Sequence, residues 1–136
     1  MDEQTAIPDG QVPLVLVVDD QPDAADNLAQ LLALVGYRTM VAYDGDDAVA
    51  AAVAHSPAAV VLDLHMPLVG GIVAASRIRQ QPGGGAVRLV ALTGSTQATD
   101  REAADLAGFD HFLVKPLMLA ALLRVLPALP DSDALS

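Results

Sequence analysis

The sequence has no cysteine, which excludes a disulfide framework and a thiolate metal site. No apolar run approaches the roughly 20 residues needed to cross a bilayer. Basic residues are scarce: 7 Lys and Arg stand against 17 Asp and Glu, a formal net charge of -10. A chain so short of cations has no basic face for a phosphate backbone, so direct nucleic-acid binding is not expected. Met1 is followed by Asp2 and Glu3, the wrong charge for a secretory signal, and a cytoplasmic protein off the membrane is expected. Of the two strong cations, lysine is the scarcer. Lys115 is the single lysine, and the other six cations are arginines.

What is present fits one domain. The 136 residues suffice to bury a core without staples. Residues 1–12 are polar and read as a flexible leader, 13–126 as the folded domain, and 127–136 as a flexible tail. A strand is predicted at about 13–18. Leu28, Leu31, Leu32 and Val35 then repeat at helical spacing, with Pro22 in the first turn and Gly36 at the stop. Strand then helix recurs five times: strands at 38–43, 58–63, 87–92 and 110–114, helices at 46–54, 71–81, 97–107 and from Pro116 to about 126. Short connections and right-handed crossovers make this an α/β fold with a parallel sheet covered on both faces.

Four of the apolar runs stop at polar residues of different kinds. Val15–Val18 runs into Asp19 and Asp20, Val60–Leu62 into Asp63, Leu89–Leu92 into Thr93, and Phe112–Val114 into Lys115 and Pro116. Parallel strands all point one way, so the stops gather on one sheet edge, where open α/β sheets bind ligands. Each residue also has an ordinary reading. Asp20 can cap a helix, Asp63 can form an Asx-turn, Thr93 can cap, and Lys115-Pro116 can be a corner. The joint pattern is much harder to reach by accident.

With these motifs the chain resembles the receiver domain of two-component response regulators. The resemblance spans about 13–126. It rests on Asp19-Asp20, on Asp63 within Leu62-Asp63-Leu64-His65-Met66-Pro67, on Thr93-Gly94 and on Lys115-Pro116, spaced 43, 30 and 22 residues apart. It implies a flavodoxin-like doubly wound sheet of order 2-1-3-4-5. It implies that Asp63 accepts a phosphoryl group from a histidine kinase or histidine phosphotransfer protein, so the domain is a switch rather than an enzyme. It implies Mg2+ (or Mn2+) held by Asp19, Asp20, Asp63 and the backbone carbonyl of His65. Thr93 and Lys115 would meet the phosphoryl oxygens, and Thr93 with Phe112 would relay the change. His65 would lie over the phosphoryl group and tune its lifetime, or be a solvated loop residue. The chain departs from the family at Gly70, where an Asp is common, which costs the next helix a cap.

The helix after Pro116 carries one charge, Arg124, from Leu117 to Leu126. Leu119, Leu122, Leu123 and Leu126 can cover the core, leaving Met118, Ala121 and Val125, so a homodimer or docked partner is expected there. Whether the domain stands alone or belongs to a hybrid histidine kinase is left open. Two rivals remain: a receiver-like interaction module that is never phosphorylated, and an aspartyl-phosphate hydrolase of the haloacid dehalogenase type. The second needs an Asp two residues after the nucleophile, where His65 stands.

Overall fold

The structure is a computed structural model that describes residues 12–66, 68–94 and 98–130. Five strands, β1 (Leu14–Val18), β2 (Arg38–Ala42), β3 (Ala59–Asp63), β4 (Arg88–Thr93) and β5 (His111–Val114), form one parallel sheet of order β2-β1-β3-β4-β5. Five helices alternate with them: α1 (Pro22–Val35), α2 (Gly45–His55), α3 (Gly71–Gln80), α4 (Ala98–Ala107) and α5 (Leu119–Val125). The expected flavodoxin-like order is therefore observed.

The central strands are apolar on both faces, as a doubly covered sheet requires. Leu16, Val18, Val60, Leu62, Leu89 and Ala91 pack into a core that includes Ala48 of α2, Ala74 and Ile78 of α3 and Ala104 of α4. The alternate residues Val15, Val17, Val61, Val90 and Leu92 pack into a second core with Leu32 of α1 and Leu122 of α5. Burying each of these Val and Leu side chains contributes about 1.5–3 kcal/mol. Two glycines let helices close on the sheet end. A Cβ at Gly45 would strike the Val69 carbonyl oxygen, and one at Gly71 the Asp63 carbonyl oxygen. Bulk at either position displaces the loop that follows β3.

Two boundaries differ from the sequence expectation. The last helix starts at Leu119 rather than Pro116. The Lys115 N–H still donates to the Thr93 carbonyl at 2.7 Å, so sheet pairing continues past Val114, and Met118 is extended. Residues 127–130, expected in the tail, pack back on the domain. Tyr37 Oη donates to the Pro127 carbonyl at 2.7 Å, and Leu129 lies 3.3 Å from the Cβ position of Gly36. The leader up to residue 11 and the tail from 131 lie outside the described residues.

Candidate functional site

The C-terminal ends of β1, β3, β4 and β5 bring the sequence-selected residues to one edge. Asp19 and Asp20 follow β1, Asp63 ends β3, Thr93 ends β4 and Lys115 follows β5. Asp19, Asp63 and Thr93 are buried, and Asp20 is half-buried. Carboxylate oxygens of Asp19, Asp20 and Asp63 lie within 4.8 Å of one another. The Lys115 ammonium donates to Asp63 Oδ2 at 3.0 Å and stands 3.9 Å from Asp19 Oδ2.

Local backbone geometry fixes the carboxylates. The Gln21 N–H, at the start of α1, donates to Asp19 Oδ1 at 3.0 Å. A carboxylate is favourable at a helix N-terminus. The His65 N–H donates to Asp63 Oδ1 at 3.0 Å. Both oxygens of Asp63 are thus engaged, one by a backbone donor and one by the ammonium. Burial pushes the Asp19 carboxyl above its ordinary value, with the Asp63 and Asp20 charges adding to the rise. The Gln21 N–H and Lys115 oppose it.

One lysine among three carboxylates leaves an excess of negative charge. A hard divalent cation takes carboxylate oxygens as ligands and would offset that excess. The donor set is therefore suited to such an ion.

The remaining candidates are placed around this cluster. Phe112 is half-buried on β5 in register with Ala91, and the Arg101 guanidinium carbon lies 5.4 Å from its ring centroid. His65 is exposed, with its Nε2 3.5 Å from Asp100 Oδ2. Gly70 precedes α3 with no side-chain cap, as its lack of a side chain requires. Sequence reading missed Asp100 and Arg101. They are ordinary charges on a weakly apolar helix, and their partners lie far away in the chain. A cavity of about 350 Å³ lies at the opposite edge, between the ends of α2 and α3. Val53, Pro57, Ile78 and Pro82 help to line it, with no ionisable side chain.

An Asp at the end of the central strand, two acidic residues beside it and a lysine on the carboxylate define a receiver-type site on a flavodoxin-like sheet. The family profile described as "Response regulator receiver domain" matches residues 15–126, and the chain belongs to that family. The chain is 37% identical over 117 residues to the transcriptional regulatory protein PrrA of Mycobacterium tuberculosis, covering 86% of this chain and 49% of PrrA. It thus spans about half the length of that relative. An uncharacterized 14.6 kDa protein of Leptolyngbya boryana is 34% identical, covering 82% of this chain and 85% of its own length. Among solved structures, chemotaxis protein CheY4 of Vibrio cholerae aligns with a TM-score of 0.79 at 28% identity, covering 85% of this chain and 99% of CheY4. The receiver domain of sensor histidine kinase PA1611 of Pseudomonas aeruginosa aligns with a TM-score of 0.77 at 32% identity, covering 84% and 93%. That structure is described with a magnesium ion coordinated in its active-site cleft.

Proposed function

We propose that this receiver domain is a phosphorylation switch in which Asp63 accepts a phosphoryl group from a phosphohistidine on a kinase or phosphotransfer protein. The contact of Lys115 with Asp63 Oδ2 at 3.0 Å carries the reading. It puts the chain's single lysine on the carboxylate at the centre of the acidic cluster. In the transfer, an Asp63 carboxylate oxygen forms the new P–O bond. The P–N bond to the donor imidazole breaks, and its electron pair stays on the imidazole nitrogen. A carboxylate oxygen attacks without giving up a proton, so no general base is needed. Phosphoryl transfer depends chiefly on positioning and on neutralising the equatorial oxygens. Lys115 supplies a charge-assisted donor for one of them, and the Thr93 hydroxyl at the end of β4 supplies a second donor.

Asp19, Asp20 and Asp63, with the His65 carbonyl, would hold Mg2+ or Mn2+, as the donor set favours. When bound, that ion neutralises charge on the phosphoryl oxygens. Asp20 suits a direct ligand because it is the more exposed of the pair, while Asp19 is held by the Gln21 N–H. Among the described residues no helix is long and apolar enough to cross a membrane.

α5 buries Leu122 and half-buries Leu119, Leu123 and Val125, while Met118 at its start is 67% exposed. Met118 with the exposed Val114 supports a homodimer or partner contact along β5 and α5.

Acetyl phosphate tests the main reading. The chain is expected to form a base-labile adduct with Mg2+ present and none after chelation. A chain that takes up no phosphoryl group under either condition would refute the reading.

Asp19→Asn provides a separate check on the cation. Burial disfavours the charged Asp19 carboxyl, and Asn keeps the acceptor for the Gln21 N–H. The variant is therefore expected to melt at a higher temperature than the parent without divalent ions. Mg2+ at ten times its Kd stabilises a binding parent by about 1.4 kcal/mol. Most of that gain is expected to disappear in Asp19→Asn. Thermal melts with and without Mg2+ read both effects, and equal Mg2+ stabilisation of parent and variant counts against Asp19 as part of the cation site.

A further inference from the structure

Most of the few cations in this chain are neutralised. Lys115 meets Asp63, Arg77 pairs with Asp46 at 3.0 Å, Arg79 pairs with Asp110 at 2.9 Å, and Arg101 stands over the Phe112 ring. Among the described residues, Arg38, Arg88 and Arg124 have no carboxylate within 4.0 Å. Arg38 lies on β2, one edge strand of the sheet. Arg88 and Arg124 share a groove near the other edge. Arg88 begins β4, His111 begins β5 and Arg124 is in the last turn of α5. The groove therefore lies at the N-terminal ends of the strands, about 16 Å along β4 from Thr93 at roughly 3.3 Å per residue. It holds about 580 Å³, and its lining is mostly polar.

The two guanidinium groups face this space without a counter-charge. Arg88 Nη1 donates to the Val125 carbonyl at 3.2 Å, which holds Arg88 beside the turn that carries Arg124. His111, exposed on the same wall, adds an imidazole. Asp110 is the one carboxylate lining the groove, and its Oδ2 already accepts from Arg79 Nη2 and from the Leu89 N–H. The charges of Asp110 and Arg79 offset each other and leave both arginines in surplus. A cation at a helix C-terminus is ordinary, and that explains Arg124 alone. It does not explain a second unneutralised arginine, from another element, on the same groove of a chain with 17 acidic residues.

We propose that this groove is a second ligand site, which binds a small molecule through a phosphate or carboxylate group held by Arg88 and Arg124. A guanidinium is a planar fork that matches two oxygens of either group. Arg124 makes no hydrogen bond to a described protein group, and Arg88 keeps its Nε and Nη2 donors. No aromatic side chain lines the groove, so a nucleobase would find no stacking face and a compact anion fits better. The site is independent of the reading of Asp63 as phosphoacceptor.

Amide NMR of the full chain tests the site, with EDTA present to remove divalent ions. Inorganic phosphate and succinate are titrated separately at constant ionic strength, with chloride as the reference anion. Without a cation the acidic cluster repels anions, so the response is expected elsewhere. Saturable shifts are expected at the amides of Val87, Arg88, His111 and Arg124, with a Kd on the order of 1 mM, the scale of a few charge-assisted contacts. Tighter binding of phosphate assigns the site to a phosphorylated small molecule, and tighter binding of succinate to a carboxylate. Arg124→Gln is expected to weaken binding about tenfold, and the double variant with Arg88→Gln to abolish it. Arg124→Gln is the cleaner of the two, because Arg88 also holds the end of α5. Arg124→Lys keeps the charge without the fork and should recover only part of the loss. Arg38→Gln removes the same charge from the opposite edge strand and should change nothing. A parent that shows no saturable shift with either anion would overturn the site. Equal losses in Arg38→Gln and Arg124→Gln would also overturn it, since they would reduce the effect to the general field of the protein.

Discussion

Asp63→Asn is expected to lower phosphoryl uptake from acetyl phosphate by on the order of a thousandfold or more, the scale seen when a nucleophile is removed. An amide oxygen lacks the negative charge that attacks phosphorus, and Asp19 is not placed to substitute. Asp19 Oδ1 is committed to the Gln21 N–H, and Lys115 is closer to Asp63 than to Asp19, at 3.0 against 3.9 Å. The fold should survive, because the Asn oxygen still accepts from the His65 N–H, and the Lys115 ammonium, which loses its acceptor, is 40% exposed and can turn to water. Circular dichroism of the variant checks the fold, and phosphate incorporation over time checks the chemistry. Uptake at a parental rate would remove Asp63 from the centre of the mechanism.

Arg79→Ala is expected to destabilise the domain by about 3 kcal/mol, since a hydrogen bond from a charged group contributes about 1.5–3 kcal/mol and several are lost together. The guanidinium is largely buried, with 19% of the side chain exposed. All five of its N–H groups find acceptors. Nε and Nη2 donate to the Gly108 carbonyl. Nη1 donates to the carbonyls of Gly84 and Val87. Nη2 also donates to Asp110 Oδ2 at 2.9 Å, whose carboxylate in turn accepts from the Leu89 N–H. One side chain therefore ties the end of α3 to the segment before β4 that holds Gly84 and Val87, to the end of α4 and to the edge between β4 and β5. A lysine presents a point charge rather than a planar fork, so Arg79→Lys should recover less than half of the loss. Thermal melts are expected to fall by about 10 °C for Arg79→Ala. A change below about 1 kcal/mol would show that water replaces these contacts at little cost.

Part of this architecture is local chemistry and part is not. The strand ends and their polar stops are legible because parallel strands buried on both faces must be continuously apolar. A single Asp, Thr or Lys therefore marks where each leaves the core. Asp63, Thr93 and Lys115 converge for the same reason: parallel strands share one C-terminal edge. The start of α5 is not legible in this way. Leu117 and Met118 are as apolar as the helix that follows, and only the pairing of Lys115 with Thr93 shows that the strand runs on. Arg79 and Asp100 are also silent in the sequence. Each is a charged residue on a helix, where solvation is the ordinary expectation, and its partners come from remote segments. Pro127 and Leu129 resemble a loose end because their composition is that of a tail. The Tyr37 hydroxyl and the bare backbone of Gly36 nevertheless provide a seat for them.

The charge balance at the sheet edge connects stability to function. Three carboxylates sharing one ammonium are poorly matched in the metal-free domain, and burial lifts the Asp19 carboxyl. The same excess of negative charge favours a divalent cation and, with it, a phosphoryl group. Functional sites commonly carry such locally unfavourable arrangements, offset by the rest of the fold.

The most direct test is to locate the phosphoryl group. The full chain is incubated with acetyl phosphate and Mg2+, digested at low pH and mapped by peptide mass spectrometry. The phosphoryl group is expected on the peptide carrying Asp63 and on no other. A group found on a different residue, or a parent chain that carries none, would contradict the assignment of Asp63 as the phosphoacceptor.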